Sequence, residues 1–335
     1  MYINNKLLTI SIAAYNVEQY LKKCLDSFIE PSIMSQLEVL IVNDGSKDST
    51  LEIAREYEKK YPDTFKAIDK PNGGHGSTIN TAIENATGKY FKVIDSDDWV
   101  ITEELVKLVN KLGSTDADAV ITHFDWVTYD ESKCIKHFDM LQDGLQYDKV
   151  YSLSEISEKV LIKMHGTAFK TEILNQNKIK IDEHCFYVDQ EFCMYPMLYC
   201  ESIVYIDADI VQYRLGQSGQ SMSKESMQRN VDQHLHVLNE LIKYYDKAKA
   251  SNASRSVLRY MERHISYMLG SQIKIYLSFK ACKARKNDIK QLDKRIKKDY
   301  PQIYKDVQNK AVWMLRWSGY ALYGAAVLAL GVIWK

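Results

Sequence analysis

The 335-residue chain is 46% hydrophobic and 26% charged, a balance that excludes a disordered protein and suits one large domain or two modest ones. Its formal net charge is zero but unevenly placed: Lys274–Arg316 carries thirteen Lys/Arg against four Asp, so the remainder is acidic. Six cysteines without a CxxC pair argue against a disulfide framework or a zinc site, and read as reduced thiols of a cytoplasmic protein.

No secretory signal is expected, because "MYINNKLLTISIAAYN" lacks a basic start and a small-residue cleavage site. The chain goes directly into an apolar strand at Leu7–Ala14. Asn16 and Gln19 have the spacing of a capping box, and Tyr20, Leu21, Cys24, Leu25 and Phe28 line one face of the helix that follows. A second strand, Leu37–Val42, ends in the turn signal "NDGS", a helix runs to about Tyr61, and Phe65–Ile68 predicts a third strand. A glycine-rich loop then leads to a helix over about Ser77–Ala86, and "YFKVI" predicts a fourth strand. Beyond Asp116 the pattern is mixed. Helices are expected near Leu153–Met164, capped by Ser152 and Glu155, and over Asp189–Cys200. Strands are expected near Ile203–Tyr205 and Ile210–Tyr213, and from about Lys224 the chain reads as helical and charged.

Strand–helix alternation predicts an α/β fold with a mostly parallel sheet, in which ligands sit beyond the carboxyl ends of the strands. The polar clusters fall at those ends: "YN", "NDGS", "KPNGGHG" and "DSDD" after the first to fourth strands. The loop "NGGHGST" lacks the lysine of a P-loop and the third glycine of a dinucleotide fingerprint. A flexible turn and a close approach to ligand both fit it. Asp95, Asp97 and Asp98 crowd one strand end; they fit either a solvated turn or a site for a hard divalent cation completed by substrate phosphates.

With those motifs in order, the stretch from about Leu7 to Trp99 resembles the inverting family 2 glycosyltransferases, whose nucleotide-sugar-binding fold is called GT-A. The likeness rests on "YN", "VNDGS" (Val42–Ser46), the "NGG" stretch through Gly88, and "DSDD". Farther on, "FYVDQEF" (Phe186–Phe192) resembles the second acidic motif of that family. Tyr213–Arg214 with "QSMS" resembles the segment that closes over the diphosphate, so the likeness covers about 220 residues. The resemblance implies a nucleotide-sugar half over about 1–115 and an acceptor half over about 116–220; composition alone sets off a basic helical region over 221–312 and an apolar tail over 313–335.

Residue by residue, the resemblance implies that Ala14, Tyr15 and Asn16 edge the nucleotide pocket, that Asp44 accepts hydrogen bonds from uracil or ribose, and that Asn72, Gly74 and Ser96 join them. It places Asp95 near the ribose, Asp97 on a Mn²⁺ or Mg²⁺ ion, Asp98 in support, Arg214 on the diphosphate and Asp189 as general base. Without it, Asp189 reads as an acidic residue favoured by a helix N-terminus. Two departures stand out: Val188 replaces the acidic partner of the base, and Ala13 and Ala14 replace the common Pro and Val. His75 and His165 remain, the latter expected to be a structural histidine.

The implied activity is transfer of a sugar from a UDP-sugar to a hydroxyl of a cell-surface glycan or lipid-linked precursor, with no nucleic acid involved and oligomers possible. A sugar nucleotidyltransferase would carry a Gly-rich, Lys/Arg-bearing loop after the first strand, where "AAYNVEQY" stands; a non-catalytic membrane scaffold would have no need of the aspartates. Trp317–Trp334 is eighteen residues without a charge, with Trp and Tyr near its ends. After the basic segment, that tail suggests attachment to the cytoplasmic side of the cell membrane, either peripheral or spanning. A buried terminal helix is the competing reading.

Overall fold

Apolar, β-branched runs build the first of two compact units, residues 1–217; the second is 218–335. The computed structural model describes residues 6–216, 220 and 223–333. The four expected strands are present as β1 (Leu8–Ala14), β2 (Leu37–Asn43), β3 (Phe65–Asp69) and β4 (Tyr90–Asp95), alternating with α1 (Glu18–Asp26), α2 (Thr50–Lys60) and α3 (His75–Asn85). A tight turn after β4 leads to β5 (Trp99–Val100) and α4 (Thr102–Leu112). There follow β6 (Ala119–Thr128), β7 (Cys134–Phe138), β8 (Val150–Ser152), α5 (Leu153–Ile156), β9 (Thr167–Lys170), α6 (Thr171–Gln176), α7 (Asp189–Met194) and β10 (Ser202–Leu215).

These strands form one sheet in the order β3-β2-β1-β4-β9-β6-β10-β5, with β7 added to β6 and β8 to β10. Strands β1 to β4 run parallel, β9 is antiparallel to both β4 and β6, and β10 is parallel to β6. The carboxyl ends of β1–β4, β6 and β10 therefore share one edge, and β9 begins at that edge rather than ending there. Side chains of both faces are buried along β1, β2 and β4, where Leu8, Ile10, Val39, Ile41, Phe91 and Ile94 are fully covered. Burying side chains of this size stabilises the sheet by about 1.5–3 kcal/mol each, so the strand ends are a rigid platform.

Four local expectations need correction. Asn16 is not a helix cap: it is left-handed, φ +52°, and its Oδ1 accepts the Lys47 N–H at 2.8 Å. The first N–H groups at the entry to α1 are instead taken by Thr50 (from Val17) and Asp48 (from Glu18), reaching across from the start of α2. The capping box at Ser152 and Glu155 is present, but α5 stops at Ile156. Beyond it Val160, Ile162 and Met164 are buried in alternation, the pattern of extended chain. Helix α7 ends at Met194, and a 3-10 turn over Pro196–Leu198 replaces its expected last turn. The two strands expected around Asp207 and Asp209 are one, β10, whose register shifts between Tyr205 and Val211 accommodate those polar residues.

The second unit is helical: α8 (Lys224–Arg229), α9 (Val231–Ala250), α10 (Arg255–Ser278), α11 (Lys283–Asp299), α12 (Pro301–Lys305), α13 (Lys310–Trp317) and α14 (Tyr323–Ile333). Two buried carboxylates knit it together. Glu262 accepts from Arg255 at 2.8 Å and from Tyr245 at 3.0 Å; Asp293 takes a two-point contact from Arg316 and a hydroxyl from Tyr320. The uncharged tail is not a continuous helix. Gly319 and Tyr320 are left-handed, φ +57° and +66°, and separate α13 from α14. Among the described residues no helix is long and apolar enough to cross a membrane. Trp334 and Lys335 lie outside the described residues.

Candidate functional site

At the carboxyl edge of the sheet the acidic turn after β4 gathers the expected groups. Asp95 is half-buried and Ser96 buried; Asp97 is half-buried, and Asp98 is 1% exposed. Asp98 Oδ1 accepts the Arg214 backbone N–H at 2.9 Å, while Oδ2 is buried with no hydrogen-bond partner among the described residues. Burial and the carboxylates of Asp97 and Asp95 push the Asp98 pKa well up. Burial, then Asp95, raises Asp97 to about 6. Burial would also raise Asp95, but the adjacent His75 outweighs it and lowers that pKa. His75 Nε2 lies 3.1 Å from Asp95 Oδ1, close but not aligned as a hydrogen bond. Burial works against the charged imidazole; Asp95, Asp189 and Asp97 prevail, and the His75 pKa is raised.

His165 faces the same turn, in the 3-10 turn Met164–Gly166 that opens β9. One ligating atom each from Asp95, Asp98 and His165 lies within 4.8 Å of the other two. Burial depresses His165 to about 4, so its ring is neutral at physiological pH, and its Nδ1 is buried with no hydrogen-bond partner among the described residues. Two orphaned acceptor atoms beside crowded carboxylates fit a divalent cation. Asp97, the expected ligand, is not in this trio but stands on the same turn. His165 was expected to be structural; an antiparallel strand brings its amino-terminal flank to the ligand edge, a placement that strand–helix alternation does not signal.

Asp189, the first residue of α7, also faces His75 and Asp95. Burial raises its pKa, and Gln190 Nε2 donates to its Oδ2 at 2.6 Å. The chain enters this helix through left-handed His184 and Tyr187, φ +53° and +69°, backbone states that cost about 1–3 kcal/mol each and cluster at functional sites.

The glycine loop is built against protein. The Asp44 carboxylate accepts the N–H groups of Gly73 and Gly74 at 2.8 Å and Lys70 Nζ at 2.9 Å, and Asn72 Nδ2 donates to its carbonyl at 2.9 Å. A Cβ on Gly74 would stand 3.2 Å from His184 backbone, and one on Gly76 would meet the Asp182 carbonyl at 2.0 Å. Close approach is thus to residues 182–184, the segment leading to Asp189. Ala14 is buried at the end of β1, while Tyr15, 48% exposed, and Asn16 are open to solvent. Arg214 is 5% exposed and committed within the protein: Nε donates to the Asp97 carbonyl at 3.1 Å, and Nη1 pairs with Glu131 at 2.7 Å. It braces the acidic turn in this conformation, instead of offering itself to a diphosphate. Of the "QSMS" segment, Ser221 and Met222 lie outside the described residues.

A family model described as Glycosyl transferase family 2 matches residues 9–177, half of the chain. The chain belongs to that family. Glycosyltransferase GlyA of Streptococcus pneumoniae is 29% identical over 227 residues, 64% of this chain and 31% of that protein. Two Bacillus subtilis proteins are similar: the putative glycosyltransferase EpsH, 28% identical over 62% of this chain and 60% of its own length, and the uncharacterized glycosyltransferase EpsJ, 27% identical over 78% and 77%. The chain thus spans a third of GlyA and three fifths of EpsH. Residues 1–349 of TarS from S. aureus, solved in complex with UDP, share the fold at TM-score 0.64 and 19% identity, over 97% of this chain and 89% of that one. The architecture is the GT-A-like one of family 2 glycosyltransferases.

A second convergence, His123, His137 and Asp209, lies on the opposite face of β6 from Phe124 and His165. Both His123 nitrogens are engaged there: Nδ1 accepts the Met140 N–H and Nε2 meets the Tyr147 hydroxyl, each at 3.0 Å. His137 Nδ1 is 2.8 Å from Asp125 Oδ1. In that group the Asp209 Oδ1 is buried with no hydrogen-bond partner among the described residues.

Proposed function

We propose that the chain transfers a sugar, with inversion, from a UDP-sugar to a hydroxyl of a cell-surface glycan or lipid-linked precursor. The observation that carries the reading is the meeting of the raised carboxyl of Asp189 with the acidic turn and His75 at one sheet edge. The donor class is supported by the likeness to TarS, solved with UDP and with UDP-GlcNAc.

In this reading Tyr15, Asn16, Asp95 and Ser96 receive the nucleoside, with Asp44, Asn72 and Gly74 fixing the wall behind it. A divalent cation, Mn²⁺ or Mg²⁺, is held by Asp97 together with Asp95, Asp98 and His165. When bound, it offsets the negative charge of the donor diphosphate. Asp189 takes the proton of the acceptor hydroxyl as its oxygen bonds to the anomeric carbon and the bond to UDP breaks. A raised pKa makes that carboxylate a stronger base than an ordinary aspartate. Arg214 reaches the diphosphate only if it leaves Glu131. Incubation with a panel of UDP-sugars and Mn²⁺, with and without membrane extract, tests the assignment. UDP release that rises with the extract is expected; neither binding nor turnover of any UDP-sugar would overturn it.

The helical unit provides a membrane-facing surface in this reading. Trp313 and Trp317 are 63% and 73% exposed and stack one turn apart, and Leu322 and Leu328 are exposed nearby in sequence. With the basic segment before them, they suit interfacial attachment to an anionic bilayer on the cytoplasmic side. Replacing both tryptophans by serine is expected to shift the protein from pellet to supernatant in sedimentation with phosphatidylserine vesicles. Undiminished pelleting at moderate salt would remove the tryptophans from the attachment.

A further inference from the structure

Lys92 sits in β4, three residues before Asp95, and is 1% exposed. Its ammonium donates to one acceptor among the described residues, the backbone carbonyl of His165, at 2.6 Å. No carboxylate pairs with it among the described residues. A buried lysine with no carboxylate beside it is costly, so a purely apolar side chain in its place would serve the sheet better unless the contact has a use.

The sheet geometry supplies that use. Strand β9 pairs with β4 only through Lys92↔Ala168, Phe91↔Phe169 and Tyr90↔Lys170. Beyond Lys92 the ladder between β4 and β9 is interrupted, and the turn Met164–Gly166 stands where ladder residues would continue. Two carbonyls of this turn are held by side chains: that of His165 by Lys92, and that of Gly166 by the Thr122 hydroxyl at 3.3 Å. The imidazole of His165 packs on Tyr213 and Phe124, with ring centroids 4.5 and 5.5 Å away. Packing holds the ring plane, and the lysine holds the backbone from which the ring projects.

We propose that Lys92 is a positioning residue: it anchors the His165 backbone so that the imidazole meets Asp95 and Asp98 as one cation-binding group. This rests on the cation reading of the site given above. The test is Mn²⁺ binding, followed by electron paramagnetic resonance of the free ion, in the parent, K92M, K92Q, H165A and K92M/H165A proteins. Outer residues that orient a metal ligand typically change affinity by roughly ten- to hundredfold. K92M is expected to weaken Mn²⁺ within that range, and K92Q, which keeps a shorter donor, to weaken it less. K92M/H165A is expected to bind no more weakly than H165A, because a residue that acts through His165 has nothing left to position. Parental affinity in K92M, or a further loss on adding K92M to H165A, overturns the role of Lys92 alone. Parental affinity in H165A overturns the cation reading as well. Thermal unfolding of each variant separates misfolding from local loss.

Discussion

Asp189→Asn is expected to lower sugar transfer by roughly 10²–10⁴-fold while leaving UDP-sugar binding close to that of the parent. The amide keeps the shape and one acceptor atom but cannot take the acceptor's proton. Its carboxylate is hydrogen-bonded by Gln190, not by a residue of β1 or β4, so its loss leaves the donor contacts proposed for those strands in place. Steady-state transfer and calorimetric UDP-sugar binding, measured on the same preparations, separate the two effects. A variant that retains more than a tenth of parental turnover would move the base elsewhere. The pH dependence gives a second check. A base works in its deprotonated form, so activity rises with pH through its pKa; burial sets that limb above the range of an ordinary aspartate. In the asparagine variant this limb is expected to vanish from the residual rate.

Asp97→Asn is expected to abolish metal-dependent donor binding and, at the same time, to stabilise the metal-free protein. Burial and Asp95 hold Asp97 at about 6 against an ordinary 3.8. That difference of about two units corresponds to roughly 3 kcal/mol of strain from ionising it in the folded state. Because the folded pKa is raised, the cost is absent below about pH 4, grows as pH rises, and is complete above about pH 6. At neutral pH without metal, the variant should therefore melt several degrees higher than the parent, and the gap should close near pH 4. With Mn²⁺ and UDP added the order should reverse, since only the parent gains from ligand binding. Equal melting temperatures at pH 7 without metal would show that the turn is not under electrostatic strain.

The strand ends were legible in the sequence because β1 to β4 announce themselves as short apolar runs closed by polar turns. Asp95, Asp97 and Asp189 follow from that pattern together with the family resemblance, and in the structure Asp95 and Asp189 both favour the charged form of His75. What escaped the sequence depends on partners far along the chain. Asn16 has the spacing of a cap, but the loop after β2 claims it: the Lys47 N–H donates to its Oδ1, and its own N–H donates to Ser46 Oγ. Lys92 looks like the exposed position of a half-buried strand, and only coverage of both faces of β4 makes it a buried cation. His165 lies seventy residues beyond the acidic turn, and its meeting with Asp95 requires the reversed direction of β9. The glycines of "NGGHG" fit a flexible turn or a close approach to ligand, and the structure packs Gly74 and Gly76 against residues 182–184 of the chain itself.

That close approach ties two distant segments of the chain together. His184 donates its N–H to the Gly73 carbonyl at 2.6 Å, and Asn80 grips both the carbonyl and the N–H of Ile181. The wall proposed behind the donor and the segment that leads to the proposed base are thus clamped by a backbone bond and by the Asn80 amide, like the two jaws of a fixed gauge. A bulkier residue at Gly74 or Gly76 would reset that gauge, so engineering this loop for a new donor sugar would carry a penalty in turnover.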